Sequence, residues 1–291
     1  MAATYTEVTT TTGAVMIPEV WAQEMIVARE SYLVAAKCVK RFDAEVKNFG
    51  DKIHIPEVTD LHVHAVTEGE AVTYQANTES EQYIDIDKYY EVSFLVHDKF
   101  AAQTKYRYAQ EMAKKAGYAL AKQMDTDILA LYGSAANSVG DGNTVIGKAG
   151  LLSAIALLDG ADVPTNDRHF IVNEIGKAQL FNIDDFIKYD STGQASPAVT
   201  GARQGGEFGS IYGVTVHVST NVPTEVATPS VVHGMLFHRD AIGLAVQKDI
   251  KTETQRKAEL LADLWVSQAL YGLKMIRTDH AVDYHYKTTV S

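Results

Sequence analysis

The sequence predicts an α+β fold whose helices and strands are segregated rather than strictly alternating. Three observations carry this. A long extended stretch, Lys52 to Val96, runs directly into one long amphipathic helix, Asp98 to about Tyr132. Short strand-like runs then crowd the second half of the chain, at His169–Asn173, Ile211–Val218, Met235–Val246 and Ala281–Tyr286. No internal repeat and no regular strand–helix rhythm connects them.

Residues 1–17 are Thr-rich and read as an arm that buries little. Pro18 suits a first helical turn, and Trp21, Met25, Ala28, Tyr32 and Ala36 recur at helical spacing through about Lys37. Lys52–Val58 is extended, with Ile53 and Ile55 on one face and Pro56 marking an edge position. From Thr59 to Gln82 the chain is polar and β-prone, and reads as a long hairpin or loop projecting from the body. Alternation then becomes clear in Ile84-Asp85-Ile86-Asp87 and Glu91-Val92-Ser93-Phe94-Leu95-Val96.

In the long helix, Ala109, Ala113, Ala116, Leu120, Met124, Ile128 and Leu131 form one stripe. Asp98 is expected to cap its N-terminus and Gly133 to end it, with Gly117 as the one weak point. Val139–Gly147 is a turn region, Lys148–Leu158 a short apolar helix and Glu174–Phe186 another helix. Asp190–Phe208 is a polar Gly/Ser/Ala-rich loop. Glu259–Arg277 carries both helical spacing and β-type residues, leaving helix and strand both open.

The 291 residues, 46% hydrophobic and 22% charged, suit a globular protein with real cores. A net charge of −11 argues against a dedicated nucleic-acid binder. A single cysteine, Cys38, allows no intrachain disulfide and fits a reducing compartment. The Thr-rich start is no signal peptide, and the longest apolar run, Leu151–Leu158, is too short to span a bilayer.

Candidate chemistry is thin. Gly142-Asn143-Thr144-Val145-Ile146-Gly147-Lys148-Ala149 nearly spells a phosphate-binding loop, but Ala149 stands where a Mg²⁺-binding hydroxyl is required. A glycine-rich turn before a helix is the preferred reading. His62 and His64 would share a strand face at metal-binding spacing, with His54 and Glu68 as further donors, yet solvated loop histidines explain them better. His280 and His285 lie on opposite strand faces. Asp85/Asp87, Asp125/Asp127 and Asp184/Asp185 are paired acids outside any recognisable catalytic context. Cys38 reads as a packed residue. Lys99, Lys105, Arg107, Lys114, Lys115 and Lys122 make a basic sector on the long helix, by default a solvated face.

The order of elements, with Ile17-Pro18-Glu19-Val20-Trp21, Gly50-Asp51-Lys52-Ile53-His54-Ile55-Pro56 and the run Tyr90-Glu91-Val92-Ser93-Phe94-Leu95-Val96-His97-Asp98, resembles the major capsid proteins of tailed bacteriophages, the Hong Kong 97-like capsid fold. The resemblance covers essentially the whole chain. It implies an N-terminal arm with a short helix (1–45), an extended β-hairpin loop (46–96), a peripheral domain with a long spine helix (97–165), an axial domain (166–249) and C-terminal strands returning to the peripheral domain (250–291). It further implies a virion protein assembled in the bacterial host cytoplasm as hexamers and pentamers around double-stranded DNA. Its partners would be a separate scaffolding protein, a portal and a cement or decoration protein. No catalysis, cofactor, metal or membrane is expected. An encapsulin-like compartment shell and a soluble metal-dependent enzyme are the alternatives.

Three narrower expectations follow. No lysine lies between Lys52 and Lys88, so the outer part of the loop lacks the amine for the isopeptide weld some relatives use, and the shell is expected to be non-covalent. The first core-like helix comes by Pro18, leaving no room for a fused scaffold. Finally, Arg107, Lys114, Lys115 and Lys122, spaced by seven or eight along the spine helix, are expected to face the lumen and the packaged DNA.

Overall fold

The computed structural model describes residues 33–46, 50–58, 61–66, 68–69, 71, 74–75, 80–104, 108–183, 207–226 and 230–290. The chain opens with α1 (Ala35–Cys38), β1 (Lys40–Arg41) and α2 (Asp43–Val46), then β2 (Lys52–Glu57), β3 (Ser80–Asp85) and β4 (Lys88–His97). Two helices follow, α3 (Asp98–Gln103) and α4 (Tyr108–Leu129), then β5 (Asn137–Val139), α5 (Lys148–Gly160), β6 (Arg168–Val172) and α6 (Glu174–Leu180). The remainder is strand: β7 (Glu207–Ile211), β8 (Val214–Val218), β9 (Thr224–Glu225), β10 (Val231–His238), β11 (Ile242–Lys257), β12 (Ala262–Met275) and β13 (Ala281–Lys287). Helices and strands are segregated, as the sequence predicts.

A seven-stranded sheet runs β5-β13-β10-β6-β8-β7, with β9 added beside β10. Its central strands are buried on both faces, so they read as apolar runs rather than alternations. Phe170, Ile171, Phe237, Tyr286 and, from α5, Leu151 and Leu158 are fully buried there. Burying each such side chain contributes about 1.5–3 kcal/mol. The Tyr286 hydroxyl is not stranded in this core: it donates to Asn173 Oδ1 at 2.9 Å and accepts from the Asn173 amide at 3.1 Å.

A second sheet, β1-β11-β12-β4, is dominated by the long β11–β12 hairpin. β11 is buried from Ile242 to Val246 and largely exposed from Lys248 outward, where register shifts mark bulges. Across this sheet lies α4, whose Ala116, Leu120, Ile128 and Leu129 are buried. The third sheet is the isolated β2–β3 ribbon, paired from Lys52↔Asp85 to Glu57↔Ser80. Its base packs where β12 has no side chain. A Cβ at Gly272 would stand 2.2 Å from the Asp85 carbonyl oxygen, so only glycine lets the two backbones meet.

Several local expectations are corrected. The long helix is not continuous: α3 ends at Gln103, and Thr104 is extended at φ −78°, ψ 137°. The break thus falls at Thr104, whereas Gly117 sits inside α4 against Ile250. Asp98 does not cap the helix. Both its carboxylate oxygens accept from Arg256 at 2.6 Å, a long-range ion pair that out-competes the local backbone. The α-helix gives way to a 3-10 turn, Ala130–Ser134, before Gly133 is reached.

Ile211–Val218 is not one strand but the end of β7 and all of β8. Tyr212 and Gly213 turn between them at φ 50° and 81°, the signature of a tight hairpin. Met235–Val246 divides between two sheets at the 3-10 turn Arg239–Ala241. Glu259–Arg277 resolves as strand β12, because pairing with both β4 and β11 overrides its helical spacing. α6 stops at Leu180, short of Phe186. The helix expected from Pro18 lies outside the described residues except for α1, as does most of the Asp190–Phe208 loop.

Candidate functional site

Among the described residues, the ribbon and the hairpin tip carry clusters of exposed large apolar side chains. At the ribbon base, Ile53 and Ile84 are buried with Val46 and Ala245 in a small separate core. Lys52 bridges Asp85 at 2.9 Å, and both Lys52 and Lys274 lie over the Tyr83 ring. Beyond this anchored base large apolar side chains stand exposed. Leu61 is 72% exposed, Tyr74 90% and Val63 99%. Apolar residues so fully in water gain burial only from another molecule.

The β11–β12 tip is similar. Leu260 and Leu261 are exposed, and Phe100 of α3 stands half-exposed nearby. Arg256 ties this tip to α3 through Asp98 and also reaches Asp263 at 3.2 Å. Its hydrogen bonds hold the Asp98 carboxyl below its usual range and raise the guanidinium. Beside the α3–α4 break, Val96, Phe100, Tyr108 and Trp265 line an open, mostly apolar groove of 250 Å³.

The N-terminal segment is fastened from within. Asp125 of α4 is fully buried, and its Oδ1 accepts from the Ala35 amide at 2.7 Å while Asn221 Nδ2 donates to Oδ2 at 3.3 Å. Burial raises its carboxyl above the ordinary value, although the hydrogen bonds from Asn221 and from the Val34–Ala36 backbone oppose the shift. Asp127 instead accepts from the Tyr271 hydroxyl at 2.8 Å. Both acids of that pair are structural, and Asp184/Asp185 lie outside the described residues.

The glycine loop is closed to anions by its own side chain. Asp141 Oδ1 accepts from the amides of Asn143 and Thr144 and from the Thr144 hydroxyl at 3.0–3.1 Å. These bonds hold its carboxyl below the usual range. A carboxylate already fills the cradle that a phosphate would need.

His62 and His64 are exposed in a stretch without strand structure, so the shared strand face expected for them is not formed. Among the described residues, two other clusters bring metal-ligating atoms within 4.8 Å of one another: Cys38, His169 and His217, and His233, Asp283 and His285. In the first, the two imidazoles meet at 3.2 Å. Burial lowers both to about 4, so they are neutral near pH 7 and form a hydrogen-bonded core pair. Cys38 is buried beside them, its thiol donating to the Val34 carbonyl at 3.3 Å. Sequence reading missed the second cluster; the Asp283-x-His285 spacing, which places both on one face of β13, was the available signal.

Of the basic sector, Lys114 is exposed and pairs with Glu111 at 2.7 Å. Lys115 lies over the Tyr118 ring at 5.9 Å, Lys122 is exposed, and Arg107 lies outside the described residues. Among the described residues, no helix is long and apolar enough to cross a membrane.

Comparison with known proteins identifies this fold. A family model described as "Phage capsid protein" matches residues 79–272. The fold is similar to a chain from Mycobacterium phage Che8 (TM-score 0.75, 21% identity, covering 92% of this chain and 96% of that one). It is similar to the capsid structure of cyanophage P-SCSP1u (TM-score 0.76, 18% identity, 94% of each chain). It is also similar to the mature capsid of bacteriophage PhiM1 (TM-score 0.73, 13% identity, 93% and 92%). None of the curated proteins compared matches the chain. The chain belongs to the phage capsid protein family. It is a self-assembling subunit of an icosahedral phage capsid, and membership of this family argues against an enzymatic role.

Proposed function

We propose that the β2–β3 ribbon and the arm before α1 are the assembly elements, laid across neighbouring copies in hexamers and pentamers of a shell enclosing double-stranded DNA. One observation carries this reading: apolar side chains from Val58 to Tyr74 stand in water beyond an anchored ribbon base. A neighbour that covers them converts idle surface into interface. Deleting Val63 to Glu81 therefore leaves a folded, soluble subunit that forms no closed shells in electron micrographs. Normal shells from that deletion overturn the reading.

The finer parts rest on the same reading. The divisions 1–45, 46–96, 97–165, 166–249 and 250–291 serve as arm, loop, peripheral domain, axial domain and C-terminal strands. Lys114, Lys115, Lys122 and Arg107 face the lumen and neutralise phosphates without reading sequence. A separate scaffolding protein sets the shell size, a portal occupies one vertex, and a cement protein reinforces a non-covalent lattice assembled in the host cytoplasm. Denaturing electrophoresis of mature particles then shows a single band at monomer mass; a ladder of multimers contradicts it.

A further inference from the structure

The buried carboxylate of Asp283 is unlike every other acid described so far, because its surroundings leave it incomplete. β10 and β13 pair antiparallel with His233 directly opposite His285, and Asp283 lies two residues along on the same face of β13. This converges three side chains. Asp283 Oδ2 is 3.0 Å from His233 Nδ1 and 2.7 Å from His285 Nε2. The other carboxylate oxygen, Oδ1, is buried with no hydrogen-bond partner, and so is His233 Nε2. The side chains of His233 and Asp283 are only 8% and 9% exposed, so solvent does not readily supply what is missing. Glu225 of β9 adds a second carboxylate, 3.6 Å from His233 Nε2 and beyond hydrogen-bond range. Glu225 thus sits at the ring edge of His233 opposite the one that meets Asp283, and the converging set is His233, Asp283 and His285, with no described basic side chain ion-paired among them.

We propose that His233 (through Nδ1), Asp283 and His285 form a binding site for a divalent transition-metal ion, with solvent in the remaining position. The mixed nitrogen and oxygen set suits zinc. Zinc ligands at their usual bond lengths stand about 3.3 Å apart around a tetrahedron. The observed 2.7 and 3.0 Å separations need to open by only a few tenths of an ångström. Orientation is already provided. The Tyr132 ring stacks on His233 with centroids 4.1 Å apart, and the backbone of Gly140 packs so tightly on His285 that a Cβ there would stand 2.1 Å from its carbonyl oxygen. His285 is 27% exposed, which gives an ion access from solvent. The ion would clamp β13 to β10. The competing account is a proton shared among the same groups, with no metal.

The test uses the full-length chain, stripped with a chelator and titrated with zinc chloride, and in parallel with cobalt chloride. The expected result is one tight equivalent per chain, a melting temperature that climbs with free zinc, and the visible absorption of low-coordinate cobalt. Asp283→Asn and His285→Gln should each weaken binding at least about 10-fold. A His62→Gln/His64→Gln double variant should bind as the parent does. His285, being partly exposed, keeps the test valid if Asp283→Asn fails to fold. Affinity unchanged in both site variants, or binding lost only with His62 and His64, overturns the proposal and leaves a proton-sharing cluster.

Discussion

The seven-stranded sheet and the β2–β3 ribbon use the same residue types to opposite ends. In the sheet, Ile171 and Val172 are fully buried, with paired strands on both sides and α5 packed against the core. Along the ribbon, burial ends at Ile53 and Ile84, and Val63, a residue of the same kind, is 99% exposed. A β-branched side chain thus has no fixed fate. The sheet completes its core within one chain, whereas beyond the ribbon apolar residues stay exposed, and in the proposed assembly a neighbour covers them. If the proposed assembly role holds, stability of the subunit and formation of the shell are separable properties of different segments.

The largest expected effect tests that separation directly. Phe170→Ala removes a fully buried ring and should cost about 3–5 kcal/mol in chemical denaturation. Val63→Ala should leave subunit stability within about 0.5 kcal/mol yet lower shell yield. Equal costs at the two positions would erase the distinction. Next comes the joint between the core and the N-terminal segment. Asp125→Ala strips the Ala35 amide of its buried acceptor and should destabilise the subunit by about 1–3 kcal/mol. Faster proteolysis ahead of α1 should accompany the loss. A neutral result would mean that this segment is held by apolar packing alone.

The pH response sharpens the comparison further, because it belongs to the sheet. Burial holds His169 and His217 at about 4 against an ordinary 6.5. The unfolded chain takes up protons below pH 6.5 that the folded chain refuses. Stability from this pair is therefore complete above pH 6.5 and is lost as pH falls toward 4. His217→Asn should flatten the slope of stability against pH across that window, while His62→Asn on the exposed segment should leave it unchanged. Identical slopes for the two variants would remove the pair from the account. The smallest effect concerns charge. Lys114→Gln with Lys122→Gln should leave empty shells intact and lower the heat stability of DNA-filled particles only at low salt, since both side chains are hydrated. Salt-independent loss, or damage to empty shells, would place them in subunit contacts instead.

Local pattern was legible wherever local physics decides. Alternation announced β4 and the end of β3, the alanine-rich stripe announced α4, and the glycine-rich turn ahead of α5 was legible as a turn. The errors arose where distant partners intervene. Asp98 looked like a helix cap because its neighbours in sequence suggested one, but Arg256 lies 158 residues away. Helical spacing at Leu260, Leu261 and Leu264 masked a strand that exists because β4 and β11 flank it. The His233–Asp283–His285 cluster was hidden because His233 is 50 residues from Asp283.

By itself the sequence determined the segregated α+β class, the projecting ribbon, the absence of an intrachain disulfide and, through motif order, the capsid family. The first three follow from composition or from periodicities of two and 3.6, which neighbouring residues enforce on their own, whereas the family came from resemblance to known capsid proteins. Only the tertiary structure decided that the long helix breaks at Thr104, that Asp125 grips the Ala35 backbone and that His233 and His285 close on Asp283. Those outcomes depend on strand register and on competition among remote hydrogen-bond partners, and register is set by the packing of the whole sheet rather than by any one segment.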